Sequence, residues 1–225
     1  MKTVSVAIDG PAGAGKSTIA RQLASQLGFR YVDTGAIYRT VAYFMDLWGV
    51  SPKDADGVNR YIDELTVGIE YDEDGLQHMI MNGMDVTGDI RTQDISQKAS
   101  LISAHACVRE MLLDMQRDLA KQYNVIMDGR DIGTVVLPKA TVKIFLTASA
   151  EVRAKRRCQE LLAKGQKAKY ETVLKEIQQR DYQDTHREIA PLKMARDSIK
   201  VDTSEMTVDE VVAAIREIVR EKAGL

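Results

Sequence analysis

Residues 10–17 read Gly-Pro-Ala-Gly-Ala-Gly-Lys-Ser and fit the pattern G-x-x-x-x-G-K-[ST]. Nothing else in the chain restricts its fold so strongly. The pattern works only where a strand feeds a tight loop and the loop opens a helix. Both neighbours are present. Val4 to Ile8 is a short β-rich run. From Lys16 to Leu27 the apolar residues Ile19, Ala20, Leu23 and Leu27 recur at helical spacing, and Gly28 ends the helix. The glycines let successive backbone N–H groups converge on one anion. The helix N-terminus adds unpaired N–H groups and the positive end of its dipole. Gly10, Pro11, Ala12, Gly13, Ala14, Gly15, Lys16, Ser17 and Thr18 therefore read as a cradle for a nucleoside triphosphate. Lys16 reaches the β- and γ-phosphates, and the Ser17 hydroxyl ligates Mg2+. The alternative is a plain glycine-rich turn.

The rest of the chain continues the alternation such a loop requires. Phe29 to Val32 reads as a second strand, Ala36 to Leu47 as a helix, and Asp54 to Leu65, after Pro52, as another. Val67 to Tyr71 and His78 to Met81 have the texture of strands. Asp72-Glu73-Asp74-Gly75 joins them and the hairpin dipeptide Asn82-Gly83 follows, which gives a small antiparallel insert. Helical spacing returns over Thr92 to Ala104 and Val108 to Lys121. Val125 to Met127 and Val142 to Leu146 are short buried strands. Two charged helices, Ala150 to Lys164 and Tyr170 to about Thr185, are split by Gly165 to Lys169. Ser198 to Val201 is the last strand, and Thr207 with Glu210 offers a capping box for a helix ending near Ala223. Strands alternating with helices imply an α/β fold, a parallel sheet covered on both faces.

At 225 residues, 44% of them hydrophobic and 28% charged, the chain suits one domain with a core of its own. A formal net charge of -2 argues against bulk electrostatic binding to nucleic acid or to an anionic membrane, so a charged ligand needs a local cluster. Cys107 and Cys158 stand outside any CxxC pair, and His78, His105 and His186 have no metal-ligand spacing, which argues against disulfides and zinc. No apolar run is long enough for a signal peptide or a membrane span. With no interface to name, the expectation is a cytoplasmic monomer.

Several protein classes use this cradle. A GTP-driven switch carries an N-K-x-D guanine reader, and no Asn here is followed by Lys. ATP-driven machines mostly carry an acidic pair after a buried strand, but Gly129 follows Asp128. Both absences favour a small-molecule kinase, which needs a second pocket for its acceptor. Thr34-Gly35-x-x-x-Arg39 follows the second strand, and Arg39 is placed to fork onto a phosphate. A surface arginine on a helix is the plainer alternative. Arg180, Asp184 and Arg187 share one helical face, as a ligand cluster or a solvated stripe. Arg180-Asp181 closes the long helix and Ala190-Pro191 stops the next segment, which puts the cluster at a helix end. Residues 128–134 read Asp-Gly-Arg-Asp-Ile-Gly-Thr, with an arginine between two carboxylates that no turn requires.

Together DGPAGAGKST, DTGAIYR, IRTQD (90–94), SLISAHACVRE (100–110), DGRDIGTVV and RDYQDTHREIAPL resemble a bacterial-type cytidylate kinase, a P-loop nucleoside-monophosphate kinase. The match runs in order from residue 9 to residue 192. The resemblance implies a five-stranded parallel core (about 1–60 and 91–225), a monophosphate-binding insert (about 61–90) and a mobile lid (about 155–175). It implies ATP and Mg2+ as donor and metal, with CMP and dCMP as acceptors. It assigns Thr34, Arg180, Asp184 and Arg187 to the ribose and acceptor end, with Tyr38 in the same pocket. Many relatives have Ser at the place of Thr34, and either hydroxyl can donate. Arg39 and Arg130 match acceptor-phosphate arginines, and Ser100, Arg109 and Asp131 match readers of the base. Arg153 and Arg157 are implied to stabilise the transferring phosphoryl, with a basic helix face as the alternative. Asp131 is then the cytosine reader, because its carboxylate accepts from the exocyclic amine and would face an oxygen of uracil. Asp128 supports Mg2+ through water or simply orders its loop. The rivals are a kinase for another monophosphate or for shikimate, and a nucleotide-gated switch.

Overall fold

The computed structural model describes residues 3–163 and 165–225. Five parallel strands form the main sheet: β1 (Ser5–Asp9), β2 (Arg30–Asp33), β6 (Val125–Gly129), β7 (Val142–Thr147) and β8 (Ile199–Asp202), in the spatial order β2-β6-β1-β7-β8. A second, antiparallel sheet holds β3 (Val67–Tyr71), β4 (Gln77–Met81) and β5 (Met84–Asp85). At two residues, β5 is too short to leave a period in the sequence.

Successive side chains of a strand point to opposite faces, and the central strands are apolar on both. Val6, Ile8, Ile126 and Ile144 pack with α1 (Lys16–Leu27) and α8 (Val208–Ala223) through Ile19, Leu23, Val212 and Ile215. Ala7, Val125 and Met127 face the other way, toward Ile37 and Val41 of α2 (Thr34–Leu47), Ile102 of α4 (Gln93–Ile102) and Leu112 of α5 (Ala106–Gln122). The charged pair α6 (Ala150–Ala163) and α7 (Tyr170–His186) packs on a small cluster of its own, with Ala154, Val173 and Ile177 buried. The expected end of α6 at Lys164 lies outside the described residues.

Element ends follow their caps. The Asp33 side chain accepts from the Ala36 backbone N–H at 2.8 Å, so α2 begins at Thr34 rather than Ala36. α3 (Ala55–Tyr61) is capped by Asp54 and tightens into one 3-10 turn at residues 62–64. Thr207 and Glu210 form the expected capping box. Arg180 and Asp181 lie inside α7, which continues to His186 instead of closing beside them. Residues Ile132–Val136 wind as one π-helical turn that no periodicity announced.

The register sets the site. Asp9 pairs with Gly129, and Asp33 pairs with Asp128. The carboxyl ends of β1, β2 and β6 therefore open into one crevice, where ligands bind in open parallel sheets. The small sheet is tied to that crevice through β2. The Asp33 N–H donates to Gln77 Oε1 at 2.7 Å, and the Tyr71 hydroxyl donates to the Tyr31 carbonyl at 3.0 Å.

Candidate active site

The loop from Gly10 to Ser17 bends between β1 and α1. Gly10 holds φ 153°, and a Cβ there would overlap the Leu146 carbonyl oxygen of β7. Gly10→Ala is expected to cost on the order of 3 kcal/mol, read as a lower urea midpoint. An unchanged midpoint would mean the loop sits further from β7. Lys16 is buried and its Nζ donates to the Pro11 carbonyl at 2.8 Å. Burial, then the nearby Arg130, brings its ammonium down to about 7. A cation held this far from water is stabilised by an arriving anion.

Asp128 is buried at the end of β6. One carboxylate oxygen accepts from the Ser17 hydroxyl at 2.9 Å and the other from the Tyr31 hydroxyl at 2.8 Å. Burial and then Asp33 push its carboxyl above the ordinary range. A hydroxyl and a carboxylate in contact are hard oxygen donors, which suits Mg2+, a cation that keeps several waters and takes few protein ligands. No group of three or more His, Cys, Asp or Glu side chains able to hold a metal occurs among the described residues. Thr34, buried at the head of α2, donates its hydroxyl to the Asp128 carbonyl at 2.7 Å. Gly129 is closely packed there, since a Cβ would meet the Ile132 side chain at 2.7 Å and Thr34 Oγ1 at 2.8 Å.

Beside this pair lies a pool of positive charge. Arg130 Nε donates to Asp184 at 2.7 Å, and Arg39 donates to Asp33 at 3.0 Å. The Nε atoms of Arg39 and Arg180 are buried without a hydrogen-bond partner among the described residues. Burial, then Arg130, lowers the Arg180 guanidinium to about 10, with Arg39 acting in the same direction. Burial alone would raise the Asp184 carboxyl, but Arg130, Arg180 and Arg187 hold it below the ordinary carboxylate range. One carboxylate thus serves several guanidiniums, and the surplus positive charge faces Lys16. A cavity of about 110 Å³ is lined by Arg39 and Asp33, by Leu76 of the β3–β4 turn and by Gln77 and Met79 of β4.

Asp131 heads a second cluster. It is buried and pairs with both Arg109 and Arg187, the latter at 3.1 Å. Both oxygens of this carboxylate, read from the sequence as an acceptor for the base, are thus already paired with arginines. Arg109 also donates to the Ser103 carbonyl at 3.0 Å, and Arg187 to the Ser103 hydroxyl at 3.2 Å. The Arg109 guanidinium lies 5.6 Å from the centre of the Tyr38 ring. Ser100 is one turn back from Ser103 on α4 and half-buried. Arg187 points to Asp131 rather than joining Arg180 in the positive pool.

The candidate phosphoryl-stabilising arginines part company. Arg153 is buried, donates to the Ala12 carbonyl of the phosphate loop at 2.9 Å and pairs with Asp181 at 2.5 Å. The Arg157 side chain is 40% exposed and pairs with Glu160 of its own helix at 3.1 Å. Reading the sequence missed Asp9, Tyr31, Ser103, Arg117 and Asp181. Asp9 had a usable signal, as a carboxylate interrupting an apolar strand directly before the glycine loop.

A sequence model of the family described as cytidylate kinase matches residues 6–221. The chain belongs to the cytidylate kinase family. It is 49% identical over 217 residues to the cytidylate kinase of Carboxydothermus hydrogenoformans, covering 96% of this chain and 97% of that protein. It is 48% identical over 217 residues to the cytidylate kinase of Lactobacillus johnsonii, covering 96% and 94% respectively. Among solved structures, an uncharacterised protein from Eubacterium ventriosum superposes with a TM-score of 0.52 at 13% identity, covering 96% of this chain and 98% of that one. That likeness shows the fold alone. Cytidylate kinase membership spans both clusters, since Lys16 and Asp131 both lie within the matched residues.

Proposed function

We propose that the protein transfers the γ-phosphoryl group of Mg·ATP to CMP, and to dCMP, giving ADP and CDP or dCDP. The observation that carries this reading is the pair of buried Nε atoms on Arg39 and Arg180 that have no partner among the described residues, in a positive pool that also contains Lys16 and Arg130. Arg39 and Arg130 are paired with Asp33 and Asp184, but guanidinium N–H groups held out of water without an acceptor suit phosphate oxygens, one group from each nucleotide.

The acceptor phosphate is already anionic at neutral pH, so no strong base is needed. Positioning and charge neutralisation do most of the work. Backbone N–H groups of Gly10 to Thr18 hold the donor phosphates, and Lys16 leaves Pro11 to donate to the transferring group. Ser17 and Asp128 would hold Mg2+, which would supply charge neutralisation at the donor phosphates. Arg39, Arg130 and Arg180 hold the acceptor phosphate, while Thr34 and Asp184 serve its ribose end. The segment at about 155–175 serves as a lid, and its closure would carry Arg157 inward and exclude water. The segment at about 61–90 is the acceptor-side insert.

Asp131 reads the base. Two guanidiniums fix the plane of its carboxylate, and that carboxylate still has lone pairs for the cytosine amine. Arg109 and Arg187 turn their remaining N–H groups toward the ring's acceptor edge, with Ser100 and Tyr38 beside it. Uracil would face this site acceptor to acceptor.

A coupled ADP-release assay with Mg·ATP over a panel of monophosphates tests the reading. CMP is expected first, dCMP close behind, UMP poor, and AMP and GMP negligible. A purine ranked first, or ADP release that needs no acceptor, would overturn it.

A further inference from the structure

The π turn at Ile132–Val136 directly follows Asp131 and is held at both ends by side chains from elsewhere. The Val136 N–H donates to the Asp131 carbonyl at 3.2 Å, and the Leu137 N–H donates to the Ile132 carbonyl at 2.7 Å. Such a turn is wider and less stable than an α-turn and persists where its surroundings support it. At its start, the two carboxylate oxygens of Asp9 accept from the Ile132 N–H at 2.8 Å and the Gly133 N–H at 2.7 Å. At its end, Arg117 Nε donates to the Val136 carbonyl and its terminal nitrogen to the Val135 carbonyl, both at 3.1 Å. Each end is gripped by a charged group through two bonds, the strong kind of hydrogen bond. The fit around Asp9 is close, since a Cβ on Gly133 would come within 3.3 Å of its carboxylate.

Arg117 shares α5 with Arg109. Eight residues separate them, roughly 12 Å along the helix. One helix therefore holds the Asp131 carboxylate through Arg109 and the far end of the turn carrying Asp131 through Arg117. We infer that Arg117, with Asp9 at the opposite end, is a positioning residue that sets base discrimination by locking the π turn and hence the Asp131 carboxylate. The inference rests on the reading of Asp131 as the cytosine reader. Without the clamp the turn relaxes toward α-geometry and rotates Asp131 at its head. The cytosine amine then loses its fixed acceptor, while uracil, which gains nothing from that acceptor, is little affected.

The test compares kcat/KM for CMP and for UMP in the full chain carrying Arg117→Met, Arg117→Lys or Asp131→Asn. Arg117→Met should lower the CMP/UMP ratio about five- to tenfold, through a higher KM for CMP. Its KM for Mg·ATP should stay within about twofold of wild type, because the phosphate loop is not gripped by Arg117. Arg117→Lys keeps the charge and one donor and should fall between. If both variants fail to fold, Asp9→Asn, which leaves one acceptor, reads the same ratio from the other end. An unchanged ratio, or equal losses on both substrates, alongside an altered ratio in Asp131→Asn would overturn the clamp. An unchanged ratio in Asp131→Asn would instead remove the reading of Asp131 itself.

Discussion

Lys16→Ala lowers kcat for CMP phosphorylation by about 10³-fold, while the circular dichroism spectrum and melting temperature stay near those of wild type. The expectation of an intact fold comes from the electrostatics. The ammonium is buried, shares its surroundings with Arg130 and Arg180, and has been brought down to about 7. Among the described residues its hydrogen bond is to the Pro11 carbonyl of its own loop. Removing the ammonium ends its desolvation cost and its repulsion with Arg130, which offsets the lost bond and the lost attraction of Asp128 and Asp184. What disappears is a donor aimed at charge that develops on the transferring group, and such donors act mainly on the chemical step. The measurement is steady-state turnover with saturating Mg·ATP and CMP, beside a thermal melt. Turnover within tenfold of wild type would take Lys16 out of the chemistry, and a collapsed melt would show that the loop is structural.

Asp131→Ala has two effects of different kind. It lowers kcat/KM for CMP about fivefold or more relative to UMP, because the proposed bond from the cytosine amine to the carboxylate is worth about 1–3 kcal/mol against a base that cannot donate there. It also destabilises the protein by about 3 kcal/mol or more, because Arg109 and Arg187 are left facing each other in a buried site. Burial already lowers the Arg187 guanidinium, and Asp131 is the charge that opposes that fall. Asp131→Asn keeps an acceptor for one arginine and should recover part of the stability while the CMP/UMP ratio stays low. The readings are the ratio of specificity constants and the urea midpoint. A ratio equal to wild type in both variants would sink the assignment, and an unchanged midpoint would mean the arginines have other partners.

Much of the fold was legible because its signals are local. The run Val4 to Ile8, the glycine loop and the apolar spacing over Ile19, Leu23 and Leu27 fall within one stretch of chain. The same holds for the Asn82-Gly83 turn and for Thr207 with Glu210. Boundaries drifted where a single side chain moved them, as Asp33 did by capping α2 at Thr34. The π turn was not legible, since Ile132, Gly133 and Val136 carry no spacing that distinguishes it from a loop. Its supports come from residue 9 on β1 and residue 117 on α5, outside any local window.

The site was legible as a set of residues rather than as a set of pairs. Asp128, Arg130 and Asp131 stood out together, and the structure sends them in three directions, to Ser17 and Tyr31, to Asp184, and to Arg109 and Arg187. Arg130 and Asp184 are 54 residues apart in the chain, and Asp131 and Arg187 are 56. Asp9 and the Gly133 N–H it accepts from are separated by 124.

The sequence by itself determined the phosphate loop, the alternation of strand and helix, and the inventory of charges, because these depend on steric freedom and periodicity within a few turns of chain. Tertiary structure alone decided which charge neutralises which, and so which guanidinium Nε atoms have no partner among the described residues. Ion pairing depends on distance and burial in three dimensions, and a parallel sheet brings strand ends together whatever length of chain lies between them.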